Sequence, residues 1–178
     1  EEVKQQLKSQ KYNNQNIRVN IDLKEKTTGE KIWGWVKKGV PIRLEIGKKE
    51  IANNAVFIGR RDFAPNEKKA IDKVEFVQNV ETLLNEIQNN LFTKAKKFKE
   101  ENSFTAKSRE ELYKFFSGKE ETGFVTAYWI GDDETEKTLK QDLKVTARCV
   151  PLKTKGQLGK CIFTGQDDAP LTVFARAY

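Results

Sequence analysis

The sequence predicts an α/β unit with a mixed sheet, followed by a small α+β unit. Three patterns carry this prediction. Up to residue 75, short helical stripes take turns with segments of strict polar–apolar alternation. A single apolar stripe of helical period then runs over residues 76–101. Beyond it, fresh turn residues open a second series of strands and helices. The boundary is placed at 103/104, giving a first domain of residues 1–103 that includes the long helix and a second of residues 104–178.

In chain order, residues 1–10 read as the end of a helix, with Val3 and Leu7 on one face. Lys11 to Asn16, rich in Asn and Gln, is a loop. Ile17, Val19 and Ile21 then alternate with Arg18, Asn20 and Asp22, the period of a half-buried strand. A polar turn leads to a short helix from Lys31 to Lys38, with Ile32 and Trp35 facing inward. An α/β unit ordinarily supplies a strand before its first helix, so a sheet strand is expected upstream of Glu1. The lack of any methionine, even at position 1, fits a sequence cut from a longer protein.

The next strand lies in Gly39-Val40-Pro41-Ile42-Arg43-Leu44-Glu45-Ile46-Gly47. Ile42, Leu44 and Ile46 form one face, Arg43 and Glu45 the other; glycines bound the strand, and Pro41 needs no ladder donor at its start. A turn over Lys48 to Asn54, a short apolar strand from Ala55 to Ile58 and a polar excursion containing Pro65 precede a returning strand from Lys68 to Val74. In the long helix, Val80, Leu84, Ile87, Leu91, Ala95 and Phe98 recur at three- and four-residue steps, a continuous stripe expected to pack on the sheet.

Ser103 to Thr105 breaks that helix. A helix from Ser108 to Phe116 follows, capped by Ser108 with Glu111 three residues on. Then come a strand from Gly123 to Ile130, a charged helix from Asp132 to Leu143, a strand from Val145 to Val150, a basic loop from Lys153 to Lys160 and a final strand from Leu171 to Tyr178.

Composition narrows the function. The 178 residues carry a net charge of +7, unevenly placed. Residues 1–75 hold 17 Lys+Arg against 11 Asp+Glu, whereas residues 105–178 hold 12 against 11. The surplus in the first unit fits a polyanionic partner. No apolar run approaches the ~20 residues of a membrane span, and no secretory leader is visible, so a cytoplasmic location is expected. With no histidine, Ser-His-Asp and Cys-His machinery and histidine metal ligands are excluded. Cys149 and Cys161 are the sole cysteines, expected as free thiols although their pairing stays open. The Asp132-Asp133-Glu134-Glu136 cluster reads as a divalent-cation site or, more simply, as acidic residues favouring a helix N-terminus. There is no Walker loop, no Gly-x-Gly-x-x-Gly and no nominated acid–base pair.

Arg43 and Glu45 thus stand on one strand face amid Lys31, Lys48, Lys49, Arg60 and Arg61. Such a strand can hydrogen-bond base edges while the surrounding cations hold phosphates. The plainer alternative for Arg43 is a cross-strand ion pair, worth little when exposed.

Gly29, Lys31 and Trp35, leading into Lys38-Gly39-Val40-Pro41-Ile42-Arg43-Leu44-Glu45-Ile46-Gly47, closely resemble the anticodon-binding domain of the class II prolyl-tRNA synthetases, of the archaeal and eukaryotic type that some bacteria carry. The resemblance continues through Arg60-Arg61-Asp62, Gln88-Asn89-Asn90-Leu91-Phe92, Gly123-Phe124-Val125 and the final Ala177-Tyr178. It implies a C-terminal fragment holding the anticodon-binding and C-terminal domains, with no catalytic residues. Proline tRNA and the upstream catalytic domain of the same polypeptide are the implied partners. The parent would be a homodimeric proline–tRNA ligase using ATP and Mg²⁺. By position, the resemblance makes Arg43, Glu50 and Lys68 contacts to anticodon guanines, and replaces a further glutamate contact by Val36. The family's structural zinc positions read Ile130, Thr135, Cys161 and Thr164 here, so no zinc is expected. The family's C-terminus folds toward the aminoacylation domain, which implies a docking role for Tyr178; alternatively, Phe174 and Tyr178 pack in the second unit's own core. A stand-alone basic module without tRNA specificity is the competing function.

Overall fold

The computed structural model describes residues 1–118 and 123–176. Tyr178, the expected docking residue, lies outside the described residues. The chain divides into two compact units, Glu1–Lys94 and the remainder from Ala95. The division falls inside the long helix, whereas the change of sequence pattern lies at its end.

The first unit opens with helix α1 (Glu2–Ser9), which buries Leu7. Residues 11–16, read as a loop, form a minimal hairpin of β1 (Lys11–Tyr12) and β2 (Gln15–Asn16). Asn13 and Asn14, both at positive φ, make its two-residue turn, the left-handed pair such a hairpin needs. Residues 17–23 correct the sequence reading. Their burial alternates only as far as Asn20, since Ile21 is exposed and Asp22 half-buried; Ile17 and Val19 pack against the core, but the segment is not a strand of any ladder among the described residues. Alternation records which side faces the core; a strand also requires a neighbouring backbone, and none is paired here among the described residues.

Helix α2 (Thr28–Lys37) starts on a reciprocal cap: Thr27 Oγ1 accepts from the Glu30 N–H, and Glu30 returns a carboxylate oxygen to the Thr27 N–H. Strand β3 (Ile42–Glu45) follows. The expected turn after it is the short helix α3 (Lys48–Ala52). β4 (Ala55–Arg60) and β5 (Lys68–Asp72) complete an antiparallel sheet ordered β3-β4-β5. The mixed sheet foreseen for this unit is therefore absent among its described ladders. Ile42, Leu44, Val56, Ile58 and Ile71 face a core completed by Phe76, Val77 and Val80 of helix α4 (Lys73–Glu101).

Only the first half of the predicted stripe on α4 is used. Val80 and Ile87 are buried, whereas Phe98 is exposed. A helix of 29 residues is about 43 Å long at 1.5 Å per residue. The longest strand of the sheet covers roughly 20 Å, so the helix outruns the surface that would bury it.

The second unit holds a five-stranded sheet. Its elements are β6 (Ser103–Thr105), α5 (Arg109–Ser117), β7 (Phe124–Tyr128), α6 (Asp133–Leu143), β8 (Val145–Cys149), a single 3₁₀ turn, β9 (Leu158–Gly159) and β10 (Ala169–Arg176). Strands run β6-β7-β10-β8, with β9 also on β10; β6 and β7 are parallel and the other pairs antiparallel. The residues read as a helix break thus form an edge strand, which makes this the mixed sheet of the chain. Leu112, Phe116, Val125, Trp129, Leu139, Val145 and Phe174 fill the core. Ser108 accepts from the Glu111 N–H as expected, but the Glu111 carboxylate reaches the N–H of Lys107 instead of closing the box.

Candidate nucleic-acid interface

Because successive side chains of a strand point to opposite faces, burying Ile42, Leu44, Val56 and Ile58 presents a second set on the outer face of the β3-β4-β5 sheet. The register aligns it in two rows. Arg43 lies opposite Gly59, which lies opposite Lys68; Glu45 lies opposite Phe57, which lies opposite Ala70. Two residues of the predicted reading set, Arg43 and Lys68, are thereby brought together with Glu45.

Their pairing is unequal. Lys68 donates its ammonium to Glu45 Oε1 at 2.5 Å and lies 6.0 Å from the centre of the Phe57 ring. Arg43 takes no part in that ion pair, so the cross-strand bridge open to it on sequence grounds is made by Lys68. The Arg43 side chain is only 9% exposed, and its Nε and Nη2 have no hydrogen-bond partner among the described residues. A buried, unpaired guanidinium is expensive, since its lost hydration is not replaced. Among the described residues these are the sole buried side-chain nitrogen or oxygen atoms without a partner.

The third predicted reader, Glu50, sits on α3, which follows directly from the end of β3. Its Oε2 accepts the Gly47 N–H at 2.9 Å, so the carboxylate doubles as the helix's N-terminal cap. Lys48 and Lys49 precede it on the same short helix and are exposed. Lys31, on α2, is half-buried and reaches the Asp22 carbonyl at 3.5 Å. Arg61 is exposed and donates to the Gly39 carbonyl at 3.3 Å. Gly39 holds φ at +71°, and a Cβ there would approach Arg61 Nη1 to 3.2 Å.

Arg60 differs from the other expected phosphate contacts. It is buried, and it is fully engaged: Nε and Nη2 donate to the two oxygens of Asp62 at 3.0 and 2.7 Å, and Nη1 to Glu86 at 2.8 Å. Asn90 also donates to Asp62. These hydrogen bonds, with Arg60 foremost, hold the Asp62 carboxyl below its ordinary value. Arg60 therefore ties the end of β4 to α4. Its sequence position beside Arg61 gave no sign of this tie, because Glu86 comes from a helix 26 residues on.

Phe57 and Gly59 were absent from the sequence reading. Their signal was the period of β4, which puts both on the face away from Val56 and Ile58, but the neighbours across the sheet follow only from the register.

Residues 1–83 match the family model described as an anticodon binding domain, and residues 113–178 the one described as prolyl-tRNA synthetase, C-terminal. The two matches follow one another along the chain. It is similar to the Proline–tRNA ligase of Protochlamydia amoebophila, 40% identical over 97% of this chain and 35% of the relative. The Proline–tRNA ligase of Bdellovibrio bacteriovorus shows the same identity and coverage. Proline–tRNA ligase 2 of Anaeromyxobacter dehalogenans is 36% identical over 99% of this chain and 36% of the relative. The chain thus spans about a third of the length of the curated relatives it matches. The stretch that matches the anticodon binding model carries the polar sheet face described above.

In the second unit, the residues at the positions that the resemblance assigns to zinc do not fit zinc. Ile130 packs against the core. Burial alone would raise the Cys161 thiol, but hydrogen bonds from the side chain and backbone of Thr164, and from the backbone of Phe163 and Ile130, outweigh it and hold the thiol below its ordinary value. The remaining position, Thr135, gives its N–H to Asp132 at 2.7 Å. One thiol, two hydroxyls and an alkyl group are not a tetrahedral zinc set. Asp132 also accepts from Trp129 Nε1 at 2.9 Å, so the acidic cluster begins as a helix cap; no cluster of metal-ligating side chains occurs among the described residues. Cys149 is exposed and Cys161 buried, and both are free.

Proposed function

We propose that this chain recognises the anticodon of proline tRNA as the C-terminal part of a prolyl-tRNA synthetase. The observation that carries the reading is Arg43. A guanidinium on a sheet face beside a Lys–Glu pair has the donor pattern that guanine O6 and N7 accept, and its Nε and Nη2, buried without a partner among the described residues, gain hydrogen bonds if they turn outward to a base. Lys68 supplies a second donor and Glu45 and Glu50 supply acceptors for guanine N1 and N2. Lys48, Lys49 and Arg61, with Lys31, offer charge for the phosphates; Arg60 is left out, because carboxylates already hold it. Support also comes from the anticodon-binding match over residues 1–83.

The activity belongs to the parent: ligation of proline to tRNA with ATP and Mg²⁺ by an upstream catalytic domain, in a homodimer of the archaeal and eukaryotic type. The likeness to the Proline–tRNA ligases supports the ligase assignment. We further propose that the C-terminal domain folds without zinc. A gel-shift titration of this chain against proline tRNA and an unrelated tRNA at several salt concentrations tests the reading. Tighter binding of proline tRNA that survives added salt is expected. Equal, weak and salt-sensitive binding of both would instead describe a basic surface without tRNA specificity.

A further inference from the structure

Gly59 has no conformational need to be glycine. It lies in the central strand of the β3-β4-β5 sheet, in extended backbone that any residue adopts, where glycine weakens a strand. What the position does require is space. A Cβ built there would stand 2.8 Å from Arg43 Nη2 and 3.5 Å from Arg43 Cζ, but 3.6 Å from Lys68 Cγ. The first distance is shorter than any real contact, and the last is ordinary packing. The missing side chain is thus occupied by the Arg43 guanidinium, which rests against β4 with Nε and Nη2 buried and unpartnered among the described residues.

We propose that Gly59 is a positioning residue for base reading: the vacancy above it lets the Arg43 guanidinium lie against β4 with Nε and Nη2 turned inward, and so fixes the position from which it reaches guanine. This rests on the anticodon reading given above. A methyl group at position 59 leaves the strand intact, because only the tip of a flexible side chain has to move. It does displace Arg43, and a bidentate contact is lost when its two bonds fall out of line.

A mutant cycle of G59A, R43A and R43A/G59A tests this by gel shift. The probes are proline tRNA and the same tRNA with its anticodon guanines replaced by adenine, which lacks the O6 acceptor. G59A is expected to reduce the preference for guanine about tenfold, with an unchanged melting temperature, and to add nothing in the R43A background. Full preference retained in G59A, or an equal loss in both backgrounds, overturns the proposal. A folding defect that persists in R43A/G59A assigns Gly59 to strand packing and overturns it too. If R43A itself leaves the preference intact, the anticodon reading fails and the seat proposal with it.

Discussion

Arg43 and Arg60 stand one position apart in the register of adjacent strands and on opposite faces of the sheet, and they have opposite fates. Arg60 has all its guanidinium nitrogens on carboxylates, whereas Arg43 has two with no partner among the described residues. A charge that is buried and unpaired destabilises the free protein and has free energy to gain from an acceptor. R43A should therefore lower the preference for proline tRNA by about 1–3 kcal/mol while leaving the melting temperature of the free chain unchanged or raised. Competition binding and a thermal melt check the two halves. For Asp62, 1% exposed in its ion pair, the effect is on stability. Its folded value lies below the ordinary 3.8, so its contribution is complete above that value and is lost as pH falls through the folded one. D62A should cost about 3 kcal/mol in urea unfolding at neutral pH. The variant's stability should also fall less steeply with acid than the wild type's. A variant with the same acid dependence as the wild type would remove Asp62 from that role.

At the scale of elements, the Ser108 cap of α5 was legible because its partner is three residues on. The Thr27–Glu30 cap of α2 uses the same spacing, but those residues read as a turn and the helix was expected only from Lys31. Residues 17–23 show a further limit, since their alternation holds only as far as Asn20 and they pair in no ladder among the described residues. In the C-terminal domain, the segment from Cys161 to Thr164 keeps its turn through its own hydrogen bonds: Gly165 N–H donates to the Cys161 carbonyl at 2.9 Å and Cys161 N–H to the Gln166 carbonyl at 2.7 Å. A chelator should leave the melting temperature unchanged, and elemental analysis of tag-free protein should find well under one zinc per chain. A stoichiometric zinc, or a melting temperature that drops on chelation, would mean that other ligands complete the site.

For the whole molecule, the surplus of cations over residues 1–75 predicts where salt acts. Lys48 and Lys49 are exposed on α3, beside the strand that bears Arg43. Replacing either by alanine should weaken binding of proline tRNA and unrelated tRNA alike, and reduce the slope of log K against log salt by about one each. A change in specificity instead would make that lysine a base reader. No helix among the described residues is long and apolar enough to cross a membrane.

By itself the sequence determined what depends on local spacing. The polar face of β3, the long helix, the Ser108 cap, the basic surplus of the first unit and the want of histidine and zinc ligands were all present in residue order. Tertiary structure alone decided what depends on register. Arg43 opposite Gly59, Lys68 taken by Glu45, and Arg60 drawn to Asp62 and Glu86 are meetings of residues up to 26 positions apart. A strand's period says which face a side chain occupies, but the backbone beside it, and so the group it meets, is chosen only when the sheet forms.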